Sequence, residues 1–190
     1  MQKHGNWTIL SSQIKYENES LTLREDDVIG PNGECDHYTT IKLSNGIQVL
    51  AVDNEGFAHL AKEFRYALGI EDIESVGGTI DDGESIEEAA RRELEEELGI
   101  KAAEFINLGT IHHTTSLIDS NTTLFLALGL RIGEKKQDDT EQIETKKLPF
   151  NQVVRMALDG EITHASTCVL VLRANHYLQS KKGRTNGKYQ

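Results

Sequence analysis

Short apolar runs alternate with turn residues through the first third of the chain. This period-two pattern, broken by Gly, Asn and Asp, predicts β-strands joined by tight turns. The runs at 47–52 and 57–64 flank Asp-Asn-Glu-Gly at 53–56, which predicts a β-hairpin. A second hairpin turn is predicted at Asn45-Gly46, after the run at 38–43. The segment is therefore expected to form antiparallel or mixed sheet.

A helical pattern begins at Ser85. This residue is predicted to be the N-cap, with Glu88 as its capping-box partner three positions later. Gly99 stands where a helix commonly ends in the left-handed conformation. The sequence therefore predicts one helix between these two signals.

Strand and helix patterns follow each other in the rest of the chain. The predicted elements are strands at 106–113 and 123–131, a polar loop at 133–145, helices at 149–158 and 166–179, and a frayed basic tail at 181–190. Because 123–131 is almost entirely apolar, this strand is expected to lie in the centre of a sheet.

Composition excludes several function classes. The 190 residues carry 20 Lys and Arg against 31 Asp and Glu, a net charge of −11, which disfavours nucleic acid as a partner. The absence of an apolar run of about 18 residues predicts no membrane span, and the N-terminus does not resemble a signal peptide. Cys35 and Cys168 lack metal-ligand spacing, so the expected location is the reducing cytoplasm.

The acidic residues are concentrated between 78 and 100. Glu93, Glu96 and Glu97 stand at i, i+3 and i+4, which places their carboxylates on one face of the predicted helix. Like charges at this spacing repel unless a cation lies among them, and oxygen ligands suit Mg²⁺ or Mn²⁺. A solvated helix face supported by Arg–Glu pairs is the alternative that the helix alone leaves open.

The segment 78–100, GTIDDGESIEEAARRELEEELGI, resembles the signature of the Nudix hydrolases. Every fixed position of that signature is present in this chain: Gly78, Glu84, Arg92, Glu93, Leu94, Glu96, Glu97, Gly99 and Ile100. The resemblance implies an α/β fold, the Nudix α/β/α sandwich with a mixed sheet, and a small N-terminal antiparallel β subdomain.

The resemblance also implies roles for residues of the signature. Mg²⁺, with Mn²⁺ as the alternative, is expected to bind the positions that match the family's metal ligands, which are Glu93, Glu96, Glu97 and the carbonyl of Gly77. Glu84 and Arg92 are expected to pair and tie the loop to the helix. Bound metal would neutralise a diphosphate and lower the pKa of an attacking water. The implied reaction is hydrolysis of a nucleoside diphosphate that is linked to another group.

The flanking sequence is similar to the ADP-ribose pyrophosphatase branch of this family. Arg65, in Lys-Glu-Phe-Arg-Tyr, matches a substrate-contacting arginine, and Glu74 matches a glutamate four residues before the signature. His112 and His113 are further candidates for contact with the substrate or its phosphates. The resemblance thus predicts conversion of ADP-ribose to AMP and ribose 5-phosphate.

Two departures from that branch leave alternatives. The branch carries a proline after the signature, in a stretch where this chain has Ile-His-His-Thr-Thr-Ser at 111–116. It also carries a proline just before the signature, where this chain has Ser75-Val76. Another nucleotide sugar, such as GDP-mannose, is one alternative substrate, and an oxidised nucleoside triphosphate is a further one. A nucleotide-sugar sensor without hydrolysis is the alternative of a different class, although its signature would be expected to be eroded.

The catalytic base is expected on the loop after the central strand, as in the resembling branch. Glu141 and Glu144 are both eligible, since a loop glutamate can accept a proton from an attacking water. Glu141 is preferred because Ile143 and Glu144 resemble the start of the next strand.

The predicted organisation has three parts. Residues 1–45 are expected to form an N-terminal β subdomain that contributes to a homodimer. Residues 46–180 are expected to form the Nudix hydrolase domain, and residues 181–190 a flexible tail.

Overall fold

The computed structural model of the chain describes residues 1–135 and 143–186. The strands within these ranges are β1 Gln2–His4, β2 Trp7–Glu17, β3 Leu21–Ile29, β4 Cys35–Leu43, β5 Gly46–Val52, β6 Phe57–Arg65, β7 Ile70–Glu74, β8 Val76–Thr79, β9 Ile100–His112, β10 Ile118–Asp119, β11 Asn121–Ile132 and β12 Glu144–Pro149. The helices are α1 Ile86–Leu98, α2 Phe150–Asp159 and α3 Ala165–Asn186. The chain divides into two compact units.

The N-terminal unit consists of residues 1–45 and 112–121. Its five-stranded sheet has the order β1-β2-β3-β4-β10, with antiparallel pairing from β1 to β4. The short strand β10 joins the edge in parallel with β4, because Ile118 and Asp119 pair with Ile41 and Lys42. Segment 112–121 is thus added to the range expected from the sequence.

The second unit consists of residues 46–111 and the described residues from 122 onward. Its seven-stranded sheet has the order β12-β6-β5-β11-β9, with β7 paired to β6 and β8 paired to β5. Strand β5 runs parallel to β11 and antiparallel to β6 and β8, so the sheet is mixed. The α/β fold class predicted from the sequence is confirmed.

Helices cover both faces of this sheet. Alternate residues of β5 point to opposite sides, so Val49 belongs to the core cluster that contains Leu94 of α1. Leu50 belongs to the cluster that contains Val153 of α2 and Leu170 of α3. Each of these side chains is fully buried, and burial of one such side chain stabilises the fold by about 1.5–3 kcal/mol.

One predicted hairpin is confirmed and the other is wrong. At 53–56 the Gly56 amide donates to the Asp53 carbonyl at 3.0 Å, and Gly56 adopts a φ of 84°. At Asn45-Gly46, however, β4 pairs with β3 and β10, whereas β5 pairs with β6, β8 and β11. A two-residue turn signal reports local backbone preference, and longer-range pairing determined the strand partners here.

Helix α1 has both predicted caps. The Ser85 hydroxyl accepts a hydrogen bond from the Glu88 amide at 3.3 Å, and the Glu88 carboxylate accepts one from the Ser85 amide at 2.9 Å. Gly99 ends the helix in the left-handed conformation, with a φ of 66°. Local sequence therefore determines where α1 begins and where it ends.

The C-terminal helices largely follow the predicted ranges. Helix α2 begins after Pro149 and ends at Gly160, which adopts a φ of 79°. Helix α3 continues to Asn186, six residues into the segment 181–190 for which the sequence predicts a tail. No helix in the described part of the chain is long and apolar enough to cross a membrane.

Candidate active site

Strand β8 and helix α1 bring the predicted metal-binding residues side by side. Gly77 and Gly78 lie on β8, opposite Gln48 and Ile47 of β5. A Cβ atom at Gly78 would overlap the Glu93 carboxylate, so the absence of a side chain lets this carboxylate approach the strand. At Gly77 a Cβ would overlap the Gln48 side chain, whose amide donates to the Ser75 carbonyl at 2.6 Å.

The three carboxylates on α1 differ in their exposure to solvent. Glu97 is buried, with 8% of its surface exposed, whereas the Glu93 side chain is 14% exposed and that of Glu96 is 43% exposed. Transfer of a carboxylate out of water costs free energy unless hydrogen bonds or opposite charge compensate. The acidic face therefore runs from a buried end at Glu97 to a solvated end at Glu96.

Arg92 connects these carboxylates with the preceding loop. Its Nε and one Nη each lie 3.0 Å from an oxygen of Glu84, and this Nη also donates to the Thr79 carbonyl. The other Nη lies 2.8 Å from Glu93 and 3.1 Å from Glu96. The Arg92 guanidinium lowers the pKa of Glu84, and the hydrogen bond to Glu84 in turn raises the pKa of Arg92.

The donor set suits a hard divalent cation in its chemistry. The Gly77 carbonyl, Glu93, Glu96 and Glu97 offer oxygen atoms alone, which Mg²⁺ and Mn²⁺ prefer. Across the described residues, however, no three acidic, His or Cys side chains are positioned to hold one ion. The Arg92 guanidinium lies between two of these carboxylates, bridging Glu93 and Glu96.

A second arginine–glutamate pair lies on the hairpin formed by β6 and β7. Arg65 Nε and Nη bind the two oxygens of Glu74 at 2.9 and 2.7 Å, and the remaining Nη binds Glu63 at 2.9 Å. Glu74 is buried, with 5% of its surface exposed. The hydrogen bond to Glu74 raises the pKa of Arg65, and the charges of Glu63 and Glu97 act in the same direction. The structure thus brings Arg65 and Glu74 together within the field of Glu97.

His164 is a member of this cluster that the sequence analysis did not identify. Its Nδ1 lies 3.0 Å from a Glu74 oxygen and 2.9 Å from the Thr167 hydroxyl. The Ser75 amide donates to the same hydroxyl at 3.0 Å. His164, directly before α3, and Thr167 of α3 therefore hold Glu74 of β7 and Ser75, the residue between β7 and β8. No spacing in the sequence signals a contact across about 90 residues.

The remaining predicted site residues are His112, His113, Glu141 and Glu144. His112 and His113 belong to the N-terminal unit. Glu144 lies on β12, where its side chain is 60% exposed and binds Lys146 at 2.5 Å, and this hydrogen bond lowers the pKa of Glu144. Glu141 lies outside the described residues.

Comparison with known proteins relates this geometry to a family. The family model described as NUDIX domain matches residues 43–168. The ADP-ribose pyrophosphatase of Bacillus subtilis (strain 168) is 29% identical over 177 residues, which cover 92% of this chain and 93% of that protein. The ADP compounds hydrolase NudE of Escherichia coli (strain K12) is 25% identical over 179 residues, or 92% of this chain and 94% of that protein.

A solved structure shows the same fold. The structure titled "Crystal structure of ADP compounds hydrolase" matches with a TM-score of 0.83 at 22% sequence identity. The match covers 95% of this chain and 98% of that chain. At this level of identity the likeness concerns the fold alone.

Proposed function

This chain belongs to the Nudix hydrolase family, and from that premise we propose that it hydrolyses the diphosphate bond of a nucleoside diphosphate sugar. The proposed substrate is ADP-ribose, with AMP and ribose 5-phosphate as products. The observation that carries the proposal is the complete carboxylate face of α1, with Glu93 set against Gly78. Similarity to a protein named ADP-ribose pyrophosphatase over 92% of the chain supports the substrate class.

Nudix hydrolases generally need divalent metal ions. We propose Mg²⁺, with Mn²⁺ as the alternative, and the residues that would hold it are Glu93, Glu96, Glu97 and the carbonyl of Gly77. A bound ion of this kind supplies charge neutralisation and a lowered pKa of water. The contribution of Arg92 is to keep Glu93 and Glu96 close together and to anchor them, through Glu84, to the loop before α1.

Arg65 is the proposed phosphate-binding residue. Two of its nitrogens are fixed by the buried carboxylate of Glu74, so the guanidinium is oriented before substrate arrives. The third nitrogen pairs with Glu63, and the Arg65 side chain is 38% exposed. A planar guanidinium held in this way suits recognition of phosphate oxygens.

We propose Glu141 as the base that accepts the proton of the attacking water. The alternative, Glu144, is ion-paired with Lys146, and its lowered pKa makes it a weaker proton acceptor. A comparison of Glu141→Gln with Glu144→Gln tests this assignment, and we expect the larger loss of kcat in the first.

The N-terminal sheet is the proposed dimerisation element. Strand β2 exposes the apolar side chains of Ile14 and Tyr16, which are 55% and 54% exposed. Exposed apolar side chains on one strand favour contact with another chain.

Cys35 and Cys168 are free thiols, which supports the proposed cytoplasmic location.

Product release from a substrate panel tests the proposed reaction. The panel holds ADP-ribose, GDP-mannose, UDP-glucose and 8-oxo-dGTP with Mg²⁺, and it is run with wild type, Glu97→Gln and the matched control Glu95→Gln. We expect turnover of ADP-ribose that is lost in Glu97→Gln and kept in the control. Turnover of GDP-mannose alone would change the substrate, and tight binding of a nucleotide sugar without turnover would favour the sensor.

A further inference from the structure

Gln48 is a buried polar residue on β5, where every other residue from 47 to 52 is apolar. It is 5% exposed, and Leu50 and Val52 of the same strand belong to the core cluster packed against α2 and α3. Alternate residues of a strand share a face, so Gln48 lies on the side of the sheet opposite α1. A buried amide costs free energy unless it is hydrogen-bonded. Core packing alone therefore does not account for glutamine at this position.

The hydrogen-bond partner of Gln48 lies at the corner between β7 and β8. Ser75 occupies this corner, where the chain leaves its pairing with β6 and joins β5. It is 1% exposed, and its backbone groups bind side chains: the amide donates to the Thr167 hydroxyl at 3.0 Å, and the carbonyl accepts from Gln48 Nε2 at 2.6 Å. Buried backbone groups without partners are costly, so Thr167 and Gln48 together fix the course of the chain through this corner.

Gly77, two residues beyond Ser75, packs directly against the Gln48 amide. The two residues are paired across β5 and β8, and a Cβ atom at Gly77 would lie 2.8 Å from both the amide carbon and the amide nitrogen of Gln48. Gly77 does not have a positive φ, so its backbone conformation does not require glycine. Alanine at this position would instead displace the Gln48 amide, and with it the hydrogen bond to Ser75.

We propose that Gln48 is a positioning residue for the metal site, an inference that rests on the proposed function. The Gln48 amide acts through the backbone: it binds the Ser75 carbonyl and packs against Gly77, and so it holds segment 75–77 in place. The Gly77 carbonyl, the main-chain member of the proposed donor set, lies on this segment. The three carboxylates of that set are positioned by α1, so Gln48 contributes through the main-chain ligand.

Mn²⁺ binding measures this contribution without nucleotide or turnover. The electron paramagnetic resonance signal of free Mn²⁺ is followed as the full chain is added. We expect Gln48→Ala to bind Mn²⁺ about fivefold more weakly than wild type, as for the loss of one hydrogen bond. Gly77→Ala should lose about as much, and the double variant should also be about fivefold weaker, because both changes remove the same contact. A loss of about 25-fold in the double variant, the product of two independent effects, would overturn the proposal.

Control variants separate positioning from general stability. Val52→Ala removes buried surface on the same face of β5, so it is expected to lower the free energy of unfolding and to keep the Mn²⁺ affinity of wild type. An equal loss of affinity in Val52→Ala would overturn the proposal. Gln48→Met keeps the length of the side chain without its donor, and it decides the test if Gln48→Ala fails to fold.

Glu97→Gln reports on the metal site itself. Weaker Mn²⁺ binding in Glu97→Gln, together with wild-type affinity in Gln48→Ala or Gln48→Met, would overturn this inference and leave the proposed hydrolysis standing. A wild-type chain that binds no Mn²⁺ would overturn both.

Discussion

Two arginine–glutamate pairs lie near the carboxylate face of α1, and they are built differently. Arg92 and Glu84 lie eight residues apart within the signature segment, and two hydrogen bonds of 3.0 Å join them. Arg65 and Glu74 lie nine residues apart, on paired strands β6 and β7, and their hydrogen bonds measure 2.9 and 2.7 Å. The bonding is nearly the same in the two pairs.

Their surroundings differ. The Glu84 side chain is 16% exposed, whereas that of Glu74 is 6% exposed and is also held by His164, directly before α3. A pair whose carboxylate is more buried depends more strongly on its partners, because an unpaired carboxylate there cannot be solvated. The same bonding pattern therefore connects a loop to the following helix in the Arg92–Glu84 pair and forms part of the tertiary core in the Arg65–Glu74 pair.

The largest expected difference between the pairs is in stability. We expect Glu74→Gln to lower the free energy of unfolding by about 2 kcal/mol, less than for a fully buried pair because Arg65 keeps access to water. Glu84→Gln should cost about 0.5 kcal/mol, in the range of exposed pairs. Urea unfolding of both variants measures the difference. Equal losses in the free energy of unfolding would show that the two pairs contribute equally to stability, contrary to this expectation.

Substitution of the two arginines is expected to change different kinetic constants. Arg65→Lys is expected to raise KM about tenfold with little change in kcat, because lysine cannot make the two-point contact that orients the group for substrate. Arg92→Lys is expected to lower kcat about tenfold, because Glu93 and Glu96 lose their common anchor. Steady-state kinetics with ADP-ribose separate the two effects. The same change of KM and kcat in both variants would remove the proposed division of roles.

A smaller effect is expected at His164. His164→Ala removes one hydrogen-bond partner of Glu74, which should cost about 1 kcal/mol of stability and raise KM about threefold through Arg65. His176→Ala, an exposed change within α3, is the control and should have no effect on KM. His164→Gln keeps a side-chain donor, so it should restore most of the loss. An unchanged KM in His164→Ala would show that His164 does not position Arg65.

The smallest effect is the pH dependence of the local pair. The pKa of Glu84 is lowered in the fold from its ordinary value of 4.5, so its stabilisation is fully present above that value. The stabilisation is lost as the pH falls through the lower pKa of the folded state. The stability gap between wild type and Glu84→Gln is therefore expected to shrink steadily below about pH 4.5. Thermal unfolding across this range measures the gap, and a gap that stays constant down to pH 2 would exclude the assigned linkage.

Features that depend on neighbours within about ten residues could be predicted from the sequence. The capping box of Ser85 and Glu88, the left-handed Gly99 and the turn at Gly56 all formed as predicted. The shared face of the α1 carboxylates also follows from helical spacing alone. These features are local because backbone preference and side-chain spacing decide them before any tertiary contact forms.

Contacts between distant elements could not be predicted from the sequence, because they depend on tertiary packing. The hairpin predicted at Asn45-Gly46 was wrong, because a local turn signal could not show that β4 and β5 pair with other strands. The contact of His164 with Glu74 and the hydrogen bond from Gln48 to the Ser75 carbonyl likewise depend on packing between remote segments. A hydrophobic pattern identifies the buried face of an element, and the burial and hydrogen bonding of the whole chain then select its partner.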